Sequence, residues 1–154
     1  MRLISHRGNI KGIVSDKENR PSYIDSAIQL GLEVEVDVRY VDGNFWLGHD
    51  TADYAVTADW LKMRSKFLWL HCKDINAAHK LKDIDAEMKY FCHTSDPLVI
   101  TSTGHLWVHD LNTNLNTNCI IPLLSLSDEL NYKGNIVYAV CTDYISYYKH
   151  KFAL

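Results

Sequence analysis

The stretch from Glu33 to Asp50 constrains the chain most. It opens with strict alternation, Glu-Val-Glu-Val-Asp-Val-Arg, which puts Glu33, Glu35, Asp37 and Arg39 on one face of a strand and Val34, Val36 and Val38 on the other. The valines favour a strand and require apolar cover. Three carboxylates at two-residue spacing repel one another, so either water or a divalent cation must offset them. Asp42-Gly43 reads as a tight turn. Phe45-Trp46-Leu47 reads as a returning strand that ends in Gly48-His49-Asp50. Carboxylates and a histidine therefore arrive at neighbouring strand ends.

The rest of the chain supplies strands and helices in alternation at first. Residues 2–5 form an apolar run that ends in His6-Arg7-Gly8. Pro21 suits the first turn of a helix; Tyr23, Ala27, Ile28 and Leu30 give it an apolar stripe, and Gly31 ends it. Thr57 caps a short helix over 58–64. Phe67-Leu68-Trp69-Leu70 reads as a strand, Asp74 as the cap of a helix over 75–83, and 88–92 as a strand ending at His93. This order argues for a parallel α/β sheet. Beyond His93 the pattern changes. Leu98-Val99-Ile100 and Leu106-Trp107-Val108 are short strand candidates, and 112–118 is an Asn- and Thr-rich loop. Ile120 and Ile121 precede Pro122, a short helix is expected over 126–131, and a last strand over 136–141.

Titratable residues repeatedly close the apolar runs: His6, His49, His71, His93, His109 and Asp143. In parallel α/β folds the C-terminal strand ends face one way and sites are built there. That regularity points to one shared face of histidines.

At 154 residues the chain is expected to form one domain, 1–154, with a real core, since 47% of it is hydrophobic. A net charge of −3 gives no basic surface for nucleic acid. No apolar run approaches the roughly 18 residues of a membrane span, and the N-terminal residues show no signal-peptide h-region. Cys72, Cys92, Cys119 and Cys141 form no Cys-x-x-Cys pair and read as buried free thiols of a reducing, cytoplasmic compartment.

The set His6-Arg7-Gly8, Glu18-Asn19, Glu35-Val36-Asp37 and His49-Asp50 resembles the glycerophosphodiester phosphodiesterases, of the phospholipase-C-like phosphodiesterase superfamily. Leu70-His71-Cys72-Lys73 falls where that family has a strand with Glu-x-Lys, and Val140 to Tyr144 is similar to its last-strand ending. The resemblance implies a (β/α)8 TIM-type barrel, here compressed or partly open and helix-poor in its C-terminal half. It also implies metal-dependent hydrolysis of a glycerophosphodiester or related head-group phosphodiester. Glu35 and Asp37 would hold Mg²⁺ or Ca²⁺, with Mn²⁺ an alternative, and Glu18 would lie beside the metal or orient the histidines. His6 and His49 would act as general acid and base, and Arg7 and Lys73 would hold the phosphate.

Two departures stand out. His71 replaces the family's third carboxylate ligand, and imidazole suits Zn or Mn better than Ca. The chain is also shorter than the roughly 200–250 residues of a usual barrel. Two further readings follow: a lyase of the same superfamily that releases a cyclic phosphate, and a barrel that binds a phosphorylated ligand or a partner without turnover. Read without the resemblance, Glu35 and Asp37 are a solvated strand face, and His49 is a hairpin-end residue paired with Asp50. In the same reading, His93 and His109 are structural and Arg39 is a salt-bridge partner of the carboxylates.

Overall fold

The computed structural model describes all residues except 86, 129–131, 133 and 135. The strands are β1 (Arg2–His6), β2 (Glu33–Val41), β3 (Asn44–Leu47), β4 (Tyr54–Val56), β5 (Leu68–Cys72), β6 (Lys89–Cys92), β7 (Leu98–Ile100), β8 (Leu106–Val108), β9 (Cys119–Pro122) and β10 (Ala139–Thr142). The helices are α1 (Pro21–Gln29), α2 (Ala58–Met63), α3 (Ile75–Ile84) and α4 (Ile145–Lys151).

All ten strands belong to one sheet. Its path runs β4-β3-β2-β1-β10-β9-β8-β7, with β5 on β2 and β6 on β5. From β6 through β5, β2, β1, β10 and β9 to β8 every pairing is parallel; β3, β4 and β7 join antiparallel. The sheet is strongly curled. Phe91 on β6 and Trp107 on β8 lie at opposite ends of the parallel path, yet their rings stack at 4.3 Å. Ile4, Trp69, Phe91, Trp107, Ile120, Ala139 and Cys141 fill the concave side.

The alternation read in β2 holds. Val34, Val36 and Val38 are fully buried on the convex side, against Ile24, Leu61, Leu70 and Leu81. Each such burial contributes roughly 1.5–3 kcal/mol. Two helix starts have the expected caps: Thr57 accepts from the Trp60 amide and Asp74 from the Ala77 amide. Pro21 opens α1.

The expected (β/α)8 TIM-type barrel is overturned. Such a barrel needs a helix after each strand. Among the described residues α1, α2 and α3 all precede β6, and no α-helix lies between β6 and β10. The fold is a mixed α/β, sheet-dominated half-barrel. The physical reason lies in the connections. Residues 101–105 and 109–118 are rich in Ser, Thr, Asn and Gly, carry no apolar stripe of helical period, and form turns. The convex side there is covered instead by α4 and by Leu115, Leu123 and Val137. Helix α4 and strand β4 were not expected, and the last strand is shorter than 136–141. The expectation of four buried thiols is corrected at Cys92, which is exposed at the end of β6. Positions 129–131 of the helix expected over 126–131 lie outside the described residues. Among the described residues no helix is long and apolar enough to cross a membrane.

Candidate functional site

The sheet register builds the site. His6 on β1 stands opposite Glu35 on β2, and Asp37 stands opposite His71 on β5. Thr142 on β10 is level with Ser5, which brings the next residue, Asp143, beside His6. All these side chains sit on the concave face at the C-terminal strand ends. His49 reaches the same place from the end of β3: the Gly48 amide donates to the Asp37 carbonyl, and the Arg39 guanidinium donates to the His49 carbonyl. A cavity of about 160 Å³ is lined by His6, Glu35, His49, His71, His93 and His109, with Phe91 and Trp107 at its aromatic wall. The five histidines that close separate apolar runs thus meet in one cavity.

Each histidine is held in its own way. His6 Nδ1 lies 2.8 Å from Asp143 Oδ1, and its Nε2 is 3.8 Å from Glu35 Oε2. His49 Nδ1 pairs with Asp50 Oδ1 at 2.7 Å. His71 Nε2 donates to the His93 carbonyl at 3.1 Å, leaving Nδ1 to face Asp37 Oδ1 at 3.1 Å and Glu35 Oε1 at 3.7 Å. The rings of His93 and His109 stack at 3.9 Å.

The carboxylates lie in a dense polar network. Asn19 holds Asp37 twice, donating to Oδ2 at 2.9 Å and accepting from the Asp37 amide at 3.0 Å. Arg7 Nε lies 2.9 Å from Asp37 Oδ2, and its NH1 donates to Glu18 at 3.2 Å. Lys73 Nζ is 3.6 Å from Asp37 Oδ1. Buried Asn9 joins the two sides of the site, donating at 2.7 Å to both Glu18 and Asp143. Arg7 and Asn19 both adopt left-handed backbone (φ 54° and 60°), which bulky side chains rarely do. The Arg7 amide is bonded to the Glu35 carbonyl and the Asn19 amide to the Arg7 carbonyl. The strain is therefore fixed by the same strands that carry the carboxylates.

Proton affinities diverge across this network. Burial opposes the charge of Asp37, but His71, Arg7 and the Asn19 amide outweigh it and hold the carboxyl well below the usual range. Burial, and then the charge of Asp37, push Glu35 up. For His6, burial is outweighed by the hydrogen bond to Asp143 and the charge of Glu35, which raise it. His71 is raised in the same way, against burial, by Asp37 and Glu35. Burial and the neighbouring histidines pull His109 down to about 4, which leaves it neutral at pH 7.

Two features fit a cation. Glu35 Oε2 and Asp37 Oδ1 are buried and make no well-formed hydrogen bond among the described residues, although His71 Nδ1 and Lys73 Nζ lie 3.1 Å and 3.6 Å from Asp37 Oδ1. Glu35, Asp37 and His71 also offer ligand atoms within 4.8 Å of one another. The donor set of two carboxylate oxygens and one imidazole suits Mn²⁺ better than the oxygen-seeking ions Mg²⁺ and Ca²⁺. A second group, His6, Glu18 and Asp143, meets the same distance. There Glu18 is already occupied at both oxygens by Asn9 and Arg7.

The structure therefore brings together the sequence-derived candidates His6, His49, Glu35 and His71 around the cavity, with Asp37 buried beside Glu35 and His71. Glu18 lies behind it, on Arg7 and Asn9. Arg7 and Lys73 face Asp37 and are not part of the cavity lining. Sequence reasoning gave no role to Asn9 and none as a partner of His6 to Asp143. Asn9 follows His6-Arg7-Gly8 directly, and a polar residue next to that motif was the one available signal. Asp143 closes the last strand as the histidines close theirs, so the same strand-end regularity marked it. No family model, curated protein or solved structure matches the chain.

Proposed function

We propose that the chain is a metal-dependent phosphodiesterase that hydrolyses a glycerophosphodiester or a related head-group phosphodiester. One observation carries the reading. A buried Glu35 oxygen without a hydrogen bond lines a cavity in which His6 and His49 each have a carboxylate at Nδ1, and Asp37 and His71 offer ligand atoms within 4.8 Å of Glu35. The resemblance of His6-Arg7-Gly8, Glu18-Asn19, Glu35-Val36-Asp37 and His49-Asp50 to the glycerophosphodiester phosphodiesterases supports the substrate class.

Glu35, Asp37 and His71 would hold the divalent ion, which when bound neutralises phosphate charge that otherwise repels a nucleophile. The protein's own groups then handle the protons. Asp143 and Asp50 fix the tautomer of His6 and His49, so that each presents Nε2 to the substrate. One imidazole takes the proton of the attacking water as its oxygen bonds to phosphorus. The other delivers a proton to the alcohol oxygen as its bond to phosphorus breaks. Each proton transfer is worth about 10²–10⁴-fold. Arg7, held between Asp37 and Glu18, offsets part of the carboxylate charge that the ion would otherwise neutralise alone. The four free thiols support a cytoplasmic setting.

The pairing of Arg7 and Lys73 with Asp37 favours a second reading, in which the site binds a phosphorylated ligand without turnover. Phosphorus NMR with a mixture of glycerophosphodiesters and Mg²⁺, Ca²⁺ or Mn²⁺ separates the readings. Metal-dependent release of a phosphomonoester, lost with chelator and in His49→Ala, is the expected result. A cyclic phosphate would make the protein a lyase. Thermal stabilisation by glycerol phosphate without any product would establish the binding reading.

A further inference from the structure

The convex side of the half-barrel carries a second pair of reactive groups. Cys72 closes β5, Cys92 closes β6, and the two are direct register partners. Partners on adjacent parallel strands point to the same face, with strands about 4.8 Å apart. That spacing lies within the Cα separation of about 4.4–6.8 Å that a disulfide spans. The access of the two thiols differs: Cys72 is buried and Cys92 is exposed, while Cys119 and Cys141 are both buried. The pair sits apart from the cavity, yet Cys72 follows His71 and Cys92 precedes His93, and those two residues are linked by the bond from His71 Nε2 to the His93 carbonyl.

We propose that Cys92 and Cys72 form a peroxide-sensitive dithiol, with Cys92 the attacking thiol and Cys72 the resolving one. The Cys92 sulfur, as thiolate, attacks one oxygen of hydrogen peroxide. The O–O bond breaks, and the departing hydroxide takes a proton to leave as water, giving a sulfenic acid. The Cys72 sulfur then attacks the Cys92 sulfur. The S–O bond breaks, and the hydroxyl leaves with the Cys72 proton as a second water. Two thiols are oxidised by two electrons to one disulfide, and one peroxide is reduced to two waters. The order of attack follows from access, since peroxide reaches Cys92 first. The product ties β5 to β6 at the strand ends that carry His71 and His93.

The test is to expose the purified chain to hydrogen peroxide, denature it, alkylate with iodoacetamide and read it by mass spectrometry. Labels should fall from the four of the free cysteines to two, with a mass loss of about 2 Da before labelling. A peptide joining Cys72 to Cys92 should appear, and dithiothreitol should restore all four labels. Cys92→Ser, a change at an exposed position, should keep all three of its remaining labels under the same exposure. Four labels unchanged, a Cys92 sulfinic acid without the joined peptide, or a disulfide between two chains would each overturn the proposal.

Discussion

Arg7→Met tests the electrostatic logic of the site most sharply. The Arg7 guanidinium lies 2.9 Å from Asp37 and 3.2 Å from Glu18, with little solvent exposure on any of the three side chains. Methionine keeps much of the aliphatic volume but removes the charge. Breaking a buried ion pair from one side costs about 3–5 kcal/mol, because the remaining charge is left uncompensated. For a domain of this size each kcal/mol moves the melting temperature by roughly 2–4 °C, so a fall of about 6–20 °C is expected in chelator. The same uncompensated carboxylates should bind a divalent ion more strongly than in the wild type. Thermal denaturation with chelator, and then across a Mn²⁺ series, should therefore show a larger metal-induced rise for Arg7→Met. The reasoning fails if the melting temperature in chelator is unchanged. It fails equally if the loss in chelator is not reduced by metal.

Three further outcomes follow. His6 is raised in the folded state above its ordinary value of 6.5, so the stability it contributes is full below that pH and is lost as pH rises through the raised value. The stability difference between wild type and His6→Asn, followed by urea denaturation across pH, should shrink in that direction; a growing difference would contradict the Asp143 pairing. Glu35 and His71 both hold protons more tightly than usual, so a divalent ion must displace protons to bind. Its affinity should rise with pH, and calorimetry in buffers of different ionisation enthalpy should show net proton release. Gly8→Ala should destabilise by about 1–3 kcal/mol in a denaturant titration. Gly8 has φ +94°, and an added Cβ would stand 2.7 Å from the Tyr23 ring.

What the sequence made legible, and what it did not, follows from the range of the interactions involved. Strands such as β2 and β5 are local apolar patterns, and their polar closing residues could be read along the chain. That His6, His71, His93 and His109 converge on one cavity followed from the parallel order of β1, β5, β6 and β8, whereas His49 arrives at the end of the antiparallel strand β3. The bond from His6 to Asp143 joins residues 137 positions apart, and no spacing rule reaches that far. Helix α4 was overlooked because Tyr144, at its N-cap, supplies no side-chain cap, although Ile145 and Tyr148 are its buried contacts. The TIM-type barrel was inferred from β1 to β6, where helices do alternate, and from the motif resemblance. The later strands pair through loops, because their connections lack an apolar face to bury. The resemblance implied a phosphate role for Arg7, and a lone arginine beside a histidine gives no hint of its protein partners. Its pairing with Asp37 and Glu18 depends on how β1 and β2 lie together.

The central claim is that Glu35, Asp37 and His71 form the seat of a divalent ion. Calorimetric titration of Mn²⁺ into the wild type, Glu35→Gln and Glu18→Gln tests it most directly. One site is predicted in the wild type, abolished in Glu35→Gln and retained in Glu18→Gln. Binding that survives Glu35→Gln but is lost in Glu18→Gln would move the ion to His6, Glu18 and Asp143, and no binding to the wild type would contradict the account.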